Sequence, residues 1–192
     1  MDNVEPAFFD AVVLISGPVA AGKSTALEAA EEHGYETVEM GDVARRLYAD
    51  ADDDERGLSL SEWAGKRREE KGETWCIEAA FEELMQLDSE ADRAAISGIR
   101  SPAEIEFAET LLGPERVETL MLWASQLERF QRATFRGDDF ENFGEFLRRD
   151  ARELDWGLHD IIAERQDVRF LVTENKGIEE TRTALASFFD SE

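Results

Sequence analysis

The feature that most constrains this chain is a glycine-rich segment that directly follows a short apolar strand pattern. Residues 11–15 form an uninterrupted apolar run rich in β-branched side chains, which is typical of a strand buried on both faces of a sheet. Residues 17–25, with the sequence GPVAAGKST, satisfy the pattern G-x-x-x-x-G-K-[ST] and lead into a helical pattern that begins at about Lys23. This order predicts an α/β domain whose first loop binds phosphate.

The residue types in this loop match the chemistry of holding a nucleotide. Small side chains let successive backbone N–H groups curl around a phosphate, and the helix N-terminus adds its positive dipole. The Lys23 ammonium is expected to reach the β- and γ-phosphates as a catalytic group, and the Ser24 hydroxyl to ligate Mg²⁺. The predicted nucleotide-binding residues of the loop are Gly17, Ala20, Ala21, Gly22, Lys23, Ser24 and Thr25.

Strand and helix patterns alternate along the rest of the chain. Further strands are predicted at residues 35–40, 94–99, 117–124 and 168–173, and helices at residues 23–32, 76–87, 103–112, 141–164 and 178–189. Strands separated by helices imply right-handed crossovers and a parallel sheet covered on both faces. We therefore expect one domain spanning residues 1–192, and the acidic run at 50–55 is expected to be a solvated loop.

The charge balance excludes several classes of partner. Acidic residues outnumber basic ones 45 to 21, the formal net charge is -24, and the bases are seventeen arginines and only four lysines. Such a surface repels phosphate backbones and anionic membranes, so neither a nucleic acid nor a membrane is expected as a partner. The composition is typical of a halophilic cytosolic protein, whose self-repulsion is screened by salt. An acidic protein that docks onto a basic partner is the alternative.

Cysteine content and hydropathy indicate a cytoplasmic protein. Cys76 is the single cysteine, so neither an intrachain disulfide nor a cysteine metal cluster can form, and its place on an apolar helix face predicts a core residue. No apolar run approaches the ~18–20 residues that a membrane span needs. Residues 1–10 are acidic and lack the basic and then apolar order of a signal peptide.

Three arginine-bearing segments suggest where a second substrate binds. Residues 41–45 follow the second predicted strand and residues 97–101 follow the third, at the strand ends where open α/β sheets hold ligands. Arg129, Arg132 and Arg136 follow the fourth strand. Guanidinium groups bind phosphate oxygens bidentately, and a loop that carries them can close over a transferring phosphoryl group.

These segments together resemble a known family. The P-loop, the segments MGDVAR (40–45), GIRS (98–101) and RGDD (136–139), and the run FLRRDARELDWG (146–157) occur in the order found in an archaeal, haloarchaeal-type family of P-loop kinase-like proteins. That family is related to dephospho-CoA kinase and to adenylate and cytidylate kinases. The resemblance covers nearly the whole chain.

The resemblance implies a P-loop NTPase fold of the nucleoside-monophosphate-kinase type, with a five-stranded parallel sheet in the order 2-3-1-4-5. It implies a helical insertion on the acceptor side at about residues 43–90, where Trp63 is a candidate pocket residue, and a short lid at about residues 129–150. The residues to which it assigns roles are Arg45 and Arg100 for the acceptor phosphate, Arg132 and Arg136 as catalytic lid arginines, Arg148 or Arg149 to complete the clamp, and Asn175 and Lys176 for the adenine pocket.

One position departs from the family pattern. The family usually has Asp-Gly-Ile-Arg after the third strand, where the acid helps to hold Mg²⁺ through water, and here that position is Ser97. A hydroxyl is a weaker magnesium ligand than a carboxylate. Asp42, at the end of the neighbouring strand, is the residue expected to compensate as a metal and substrate-binding group.

Two functions from different classes follow. The first is an ATP-dependent kinase that uses Mg²⁺ and transfers the γ-phosphoryl group of ATP to a small phosphate-bearing acceptor, a nucleoside monophosphate or dephospho-CoA. The second is a slow ATPase that acts as a nucleotide-dependent switch or assembly factor, and only this hypothesis requires a protein partner. Acceptor-dependent ATP consumption distinguishes the two.

Overall fold

The computed structural model describes residues 9–52, 57–87, 89–137 and 142–190. These ranges contain five strands, separated from one another by one or more of nine α-helices, with a short 3₁₀ turn and a π-helical turn in addition. In chain order the elements are β1 (Ala11–Ser16), α1 (Lys23–Glu32), β2 (Glu36–Glu39), α2 (Met40–Ala49), α3 (Leu60–Lys71), α4 (Trp75–Gln86), β3 (Arg93–Ile99), α5 (Pro102–Leu112), the 3₁₀ turn (Pro114–Arg116), β4 (Val117–Trp123), α6 (Gln126–Arg136), α7 (Phe143–Glu153), the π-helical turn (Leu154–Leu158), α8 (His159–Glu164), β5 (Arg169–Val172) and α9 (Ile178–Phe189).

The five strands form one parallel sheet in the order β2-β3-β1-β4-β5, which confirms the predicted fold and strand order. β1 is central: Leu14 pairs with Ile96 of β3 on one side and with Thr119 of β4 on the other. β2 pairs with β3, where Glu39 lies opposite Ser97. The carboxyl ends of β1, β2 and β3 therefore meet at one edge of the sheet.

Both faces of the sheet are covered, as the unbroken apolar run of β1 predicts. Val12 and Leu14 face a cluster to which α2, α4, α5 and α8 contribute, whereas Val13 and Ile15 face a second cluster with α1 and α9. Successive side chains of a strand point to opposite faces, so an apolar run without alternation belongs to a strand that packs on two layers. The helices on both faces hold the sheet in place, and with it the edge at which the phosphate loop and the arginine segments lie.

The long helix predicted over 141–164 is wrong in one respect, because the chain bends in its middle. α7 ends at Glu153, and Gly157 has a φ of 114°, which only glycine adopts without strain. A Cβ on Gly157 would lie 3.0 Å from the backbone oxygen of Arg100. The bend packs this turn against the β3–α5 loop and brings Trp156 beside Arg100.

The predicted insertion and lid correspond to helical segments. Helices α2, α3 and α4 lie between β2 and β3, and α6 and α7 follow β4. Part of the predicted acidic loop (53–55), part of the segment RGDD (138 and 139) and Glu141 lie outside the described residues. Of the helices within the described ranges, none combines the length and the apolarity needed to cross a membrane.

Candidate active site

The phosphate loop is shaped by glycines at its two ends. Gly17 follows β1 with a φ of 141°, and a Cβ there would lie 2.6 Å from the backbone oxygen of Leu122, so the loop passes too close to β4 for any side chain. Gly22 caps α1 in the left-handed conformation, with a φ of 111°. Between them, Ala20 also has a positive φ of 59°, which is uncommon for a residue other than glycine. The loop therefore curls back on itself above the N-terminus of α1.

The Lys23 side chain folds back onto the phosphate loop and bonds to it. Its Nζ donates hydrogen bonds to the backbone oxygens of Gly17, at 2.6 Å, and Pro18, at 2.9 Å. Burial lowers the pKa of the ammonium from its ordinary 10.5 to about 8, and the nearby carboxylates of Glu153 and Glu39 partly oppose that effect. The Lys23 ammonium is thus a poorly hydrated cation held at the loop, which suits it to bind the oxygens of a polyphosphate.

The loop is anchored from the opposite side by the end of β5. The buried Thr173 Oγ1 donates a hydrogen bond to the backbone oxygen of Ala21 at 3.0 Å. Arg132 of α6 in turn donates to Thr173 Oγ1 at 3.0 Å and also pairs with Glu128 at 3.0 Å. Ala21 is a fully buried residue of the loop, so it shapes the loop and does not line the cavity.

A cavity of about 660 Å³ opens above the phosphate loop, and most of the predicted nucleotide residues line it. From the loop and α1 these are Ala20, Gly22, Lys23, Ser24 and Thr25, and from the lid and the β5–α9 loop Arg132, Arg136 and Lys176. Gly17, the first residue of the loop, is buried and is not among the lining residues. Asn175 is exposed outside this lining, with a φ of 54°. The side chain of Phe135 also lines the cavity and is 96% exposed.

Glu39, at the end of β2, is one of three acidic residues that line this cavity, together with Glu128 and Glu153. Asp42, which the sequence suggested, lies in the first turn of α2, where Arg45 Nε donates to it at 3.0 Å, and it is not among the residues that line either cavity. Glu39 lines the nucleotide cavity together with Lys23 and Ser24. The Ser97 hydroxyl is buried on the adjacent strand and makes no hydrogen bond to any described residue.

A second cavity, of about 870 Å³, lies between α2, α3 and α7. Arg45 and Arg100 both line it, as predicted for an acceptor site. Trp63 does not: it is fully buried behind Trp75, whose ring it meets edge-on at 5.7 Å, and Trp75 is the residue that faces the cavity. Trp156, at the bend after α7, forms part of another wall.

The two cavities share a wall made of Arg100, Arg149 and Glu153. The buried carboxylate of Glu153 lies 4.0 Å from Arg100 Nη2 and 3.8 Å from Arg149 Nε. Arg100 also lies over the ring of Trp156, at 5.7 Å, and its backbone N–H donates to Glu104 at 2.6 Å. The Arg100 guanidinium is therefore held where both cavities meet.

Arg129 plays a different part from its neighbours in the arginine segment. Its buried guanidinium donates to both carboxylate oxygens of the buried Asp150 on α7, at 2.5 and 2.7 Å. It also donates to the backbone oxygens of Val19 and Ala124, both at 3.0 Å. All of these partners belong to the protein, so Arg129 ties the phosphate loop to the lid helices and does not face a substrate.

Several residues of the site gave no usable signal in the sequence. Glu39 is one of 45 acidic residues, and no motif distinguishes it from the solvated majority. Asp150 and Glu153 lie in the run at 146–157 that carries the resemblance, but no role was assigned to either of them. Trp75 and Trp156 are aromatic residues of the kind that usually fill a core. Only the fold, which brings the end of β2 and the bend after α7 to one edge of the sheet, makes these residues neighbours of the phosphate loop.

The lowered pKa of Lys23 predicts a pH dependence of nucleotide binding. Bound phosphates favour the charged ammonium, so above about pH 8 binding must take up a proton, and the Kd for ADP is expected to rise by up to about tenfold per pH unit. Below that pH the Kd is expected to stay flat. Calorimetric titration across this range measures it, and Lys23→Arg, which keeps its charge, is the control expected to show no inflection near pH 8. An unchanged Kd up to about pH 10 contradicts the assignment.

Comparison with known proteins identifies relatives in archaea. No protein-family model matches the chain. The UPF0200 protein of Pyrobaculum aerophilum is 36% identical over 171 residues, which cover 88% of this chain and 91% of the relative. The UPF0200 protein of Methanopyrus kandleri is 34% identical over 173 residues, covering 89% and 85%, and that of Methanothermobacter thermautotrophicus is 33% identical over 154 residues, covering 79% and 76%.

Solved structures with the same fold include kinases. A gluconokinase from Sinorhizobium meliloti superimposes with a TM-score of 0.59 over 96% of this chain and 94% of its own, at 14% identity. The protein TT1252 from Thermus thermophilus gives a TM-score of 0.56 over 93% and 97%, at 22% identity. The archaeal relatives confirm an archaeal family and the solved structures confirm the fold, whereas the kinase-like activity, the haloarchaeal type and the relation to dephospho-CoA kinase stay predictions.

Proposed function

The chain belongs to the UPF0200 family, and we propose that it is an ATP-dependent phosphotransferase that acts on a small phosphate-bearing acceptor. The observation that carries this proposal is the pair of adjoining cavities. One contains the phosphate loop, the other is lined by arginines, and Arg100, Arg149 and Glu153 separate them. A donor and an acceptor bound in these cavities would meet at that shared wall.

The proposed reaction moves one phosphoryl group across this wall. An acceptor oxygen forms a bond to the γ-phosphorus of ATP while the bond from that phosphorus to the β–γ bridging oxygen breaks, and ADP leaves. Charge spreads over the transferring oxygens, so catalysis consists mainly of positioning and electrostatic stabilisation. The cationic groups available for this are Lys23 on the donor side and Arg132 and Arg136 from α6.

The residues present also fit a magnesium ion. Mg²⁺ in such sites keeps several waters and is held by one or two protein oxygens together with substrate phosphates. The Ser24 hydroxyl and the Glu39 carboxylate line the nucleotide cavity and supply oxygen donors of this kind. When bound, the ion neutralises the developing charge on the phosphates. Glu39 thus takes the place that the sequence suggested for Asp42.

An acceptor screen tests the proposal against the switch hypothesis. We expect this protein to be a cytoplasmic protein of a halophile, whose acidic surface needs salt to screen the repulsion between its charges. ADP formation is therefore measured with Mg²⁺ in multimolar KCl. Nucleoside monophosphates and dephospho-CoA are added one at a time. A kinase is expected to form ADP well above its intrinsic hydrolysis with at least one acceptor. A slow rate that none of the acceptors stimulates favours a nucleotide-dependent switch.

Arg100→Ala is expected to raise the acceptor KM by about tenfold or more, because a guanidinium that binds the acceptor phosphate is lost. Intrinsic ATP hydrolysis is expected to change little. Steady-state kinetics with acceptor and ATP varied separately measure both effects. Arg116→Ala, in the 3₁₀ turn before β4, removes an arginine that is not among the lining residues of either cavity and serves as the control. An equal loss of both activities would contradict an acceptor role for Arg100.

A further inference from the structure

The acceptor cavity contains more arginines than one phosphate group needs. Six of the seventeen arginines in the chain line this cavity, in a protein with a net charge of -24: Arg45, Arg68, Arg100, Arg148, Arg149 and Arg152. Among the residues that the structure describes, three carboxylates, those of Glu104, Glu145 and Glu153, share the lining. A single phosphate is fully served by the two arginines that follow β2 and β3.

Arginines elsewhere in the molecule pair with the abundant acids. Arg182 donates to Glu28 at 2.6 Å and Arg169 donates to Glu118 at 2.7 Å, and Arg165 pairs with Glu109 and Asp167. At least eleven of the sixteen arginines that the structure describes lie within 4.0 Å of an acidic oxygen. An arginine in a cavity wall that has no acidic partner is available to bind an anion from outside the protein.

Arg148 and Arg152 are two arginines of this kind. Both are exposed side chains of α7, and neither makes a hydrogen bond or an ion pair with any residue that the structure describes. They are four residues apart, so they lie on one face of the helix, where like charges destabilise each other unless an anion lies between them. Glu62 on α3 has a lowered pKa, mainly because Ser59 donates hydrogen bonds to its carboxylate; the charge of Arg152 adds to this effect, but the two side chains form no ion pair.

Their place in the cavity separates them from the reacting end of an acceptor. Arg100 and Arg149 line both cavities, whereas Arg148 and Arg152 line only the acceptor cavity. They come from the lid helix, and Arg45 and Arg100 come from the edge of the sheet. The cavity, at about 870 Å³, is in the size range of sites for nucleotide-sized ligands.

We propose that the acceptor carries a second phosphate group away from its reacting end, and that Arg148 and Arg152 bind this group. The inference rests on the proposed function, since it assigns the substrate class of the same acceptor cavity. The acceptor is then a bisphosphate or a diphosphate ester, and not a simple monophosphate. The exposed position of the two arginines on α7 lets the second phosphate fix the lid helix against the acceptor.

Equilibrium binding tests this without any transfer step. With the phosphate loop saturated by ADP, calorimetry compares matched pairs of probes that differ by one phosphate: AMP with adenosine 3′,5′-bisphosphate, and ribose 5-phosphate with ribose 1,5-bisphosphate. At least one bisphosphate is expected to bind about tenfold or more tightly than its monophosphate partner. Arg148→Ala/Arg152→Ala is expected to remove that gain and to leave monophosphate affinity within about twofold.

The controls separate this inference from the proposed function. Arg182→Ala, on the surface of α9, is expected to leave all affinities unchanged, and circular dichroism shows whether each variant is folded. Equal affinity within every pair, or a double variant that weakens both members of a pair alike, overturns the inference. Tight bisphosphate binding without phosphoryl transfer would instead count against the proposed function alone, and transfer to a monophosphate with no gain from a second phosphate counts against this inference alone.

Discussion

Lys23→Ala is expected to lower the rate of ATP turnover by about 10³-fold, the size of loss seen when one preorganised electrostatic donor is removed from an active site. Among the described residues the ammonium donates hydrogen bonds to the backbone oxygens of Gly17 and Pro18 alone, so its loss leaves the core untouched. With nucleotide bound it is the cation at the β- and γ-phosphates. Single-turnover and steady-state measurements at saturating ATP separate the loss of rate from any loss of affinity.

Lys66→Ala is the matched control for this variant. Lys66 is one of the four lysines, lies on α3, and forms an exposed pair with Glu70 at 3.7 Å. Its removal takes away the same charge from the molecule, and turnover is expected to stay within about twofold, since exposed pairs contribute little. A Lys23→Ala protein that is folded and keeps most of its activity would remove the phosphate loop from the mechanism.

Arg129→Ala is expected to lower the free energy of unfolding by roughly 3–5 kcal/mol, because it leaves the Asp150 carboxylate buried without its partner. For a chain of this length that corresponds to a fall in Tm of roughly 6–20 °C. Nucleotide affinity is expected to fall as well, since the Val19 oxygen of the phosphate loop loses its hydrogen bond. Thermal and denaturant unfolding, each with and without ADP, measure both effects.

Two further variants test the physical cause. Arg182→Ala breaks an exposed pair with Glu28 and is expected to change stability by less than about 1 kcal/mol. Arg129→Met/Asp150→Leu replaces the buried pair by apolar side chains and is expected to recover much of the lost stability. A double variant as unstable as Arg129→Ala would show that the buried carboxylate is not the source of the loss.

The sheet could be predicted from the sequence because its signals are local. The apolar run of β1, the glycine-rich loop and the alternation of strand and helix patterns fix a parallel sheet without any knowledge of tertiary contacts. The strand order came from the resemblance, and the structure confirms it. The bend at Gly157 was missed because a single glycine within a charged helical pattern is tolerated in many helices, and only its close approach to Arg100 requires the turn.

The site was predictable where a motif carries it and unpredictable where packing does. Lys23 and Ser24 follow from the loop pattern, and Arg45 and Arg100 from their places after strands. Arg129 has the same residue type as its neighbours on α6, yet its orientation into the buried Asp150 depends on how α6 and α7 pack. Glu39 was passed over for Asp42 because which carboxylate faces the cavity depends on where β2 ends and α2 begins.

The most direct test of the central claim follows the label of γ-labelled ATP. The protein is incubated with Mg²⁺ and one acceptor at a time, monophosphates and bisphosphates alike, and the products are resolved by chromatography. The account predicts that label moves onto at least one phosphate-bearing acceptor and that Arg100→Ala reduces this transfer at limiting acceptor. Label that appears only as inorganic phosphate, at a slow rate and with ATP binding intact, would contradict a phosphotransferase and favour the switch.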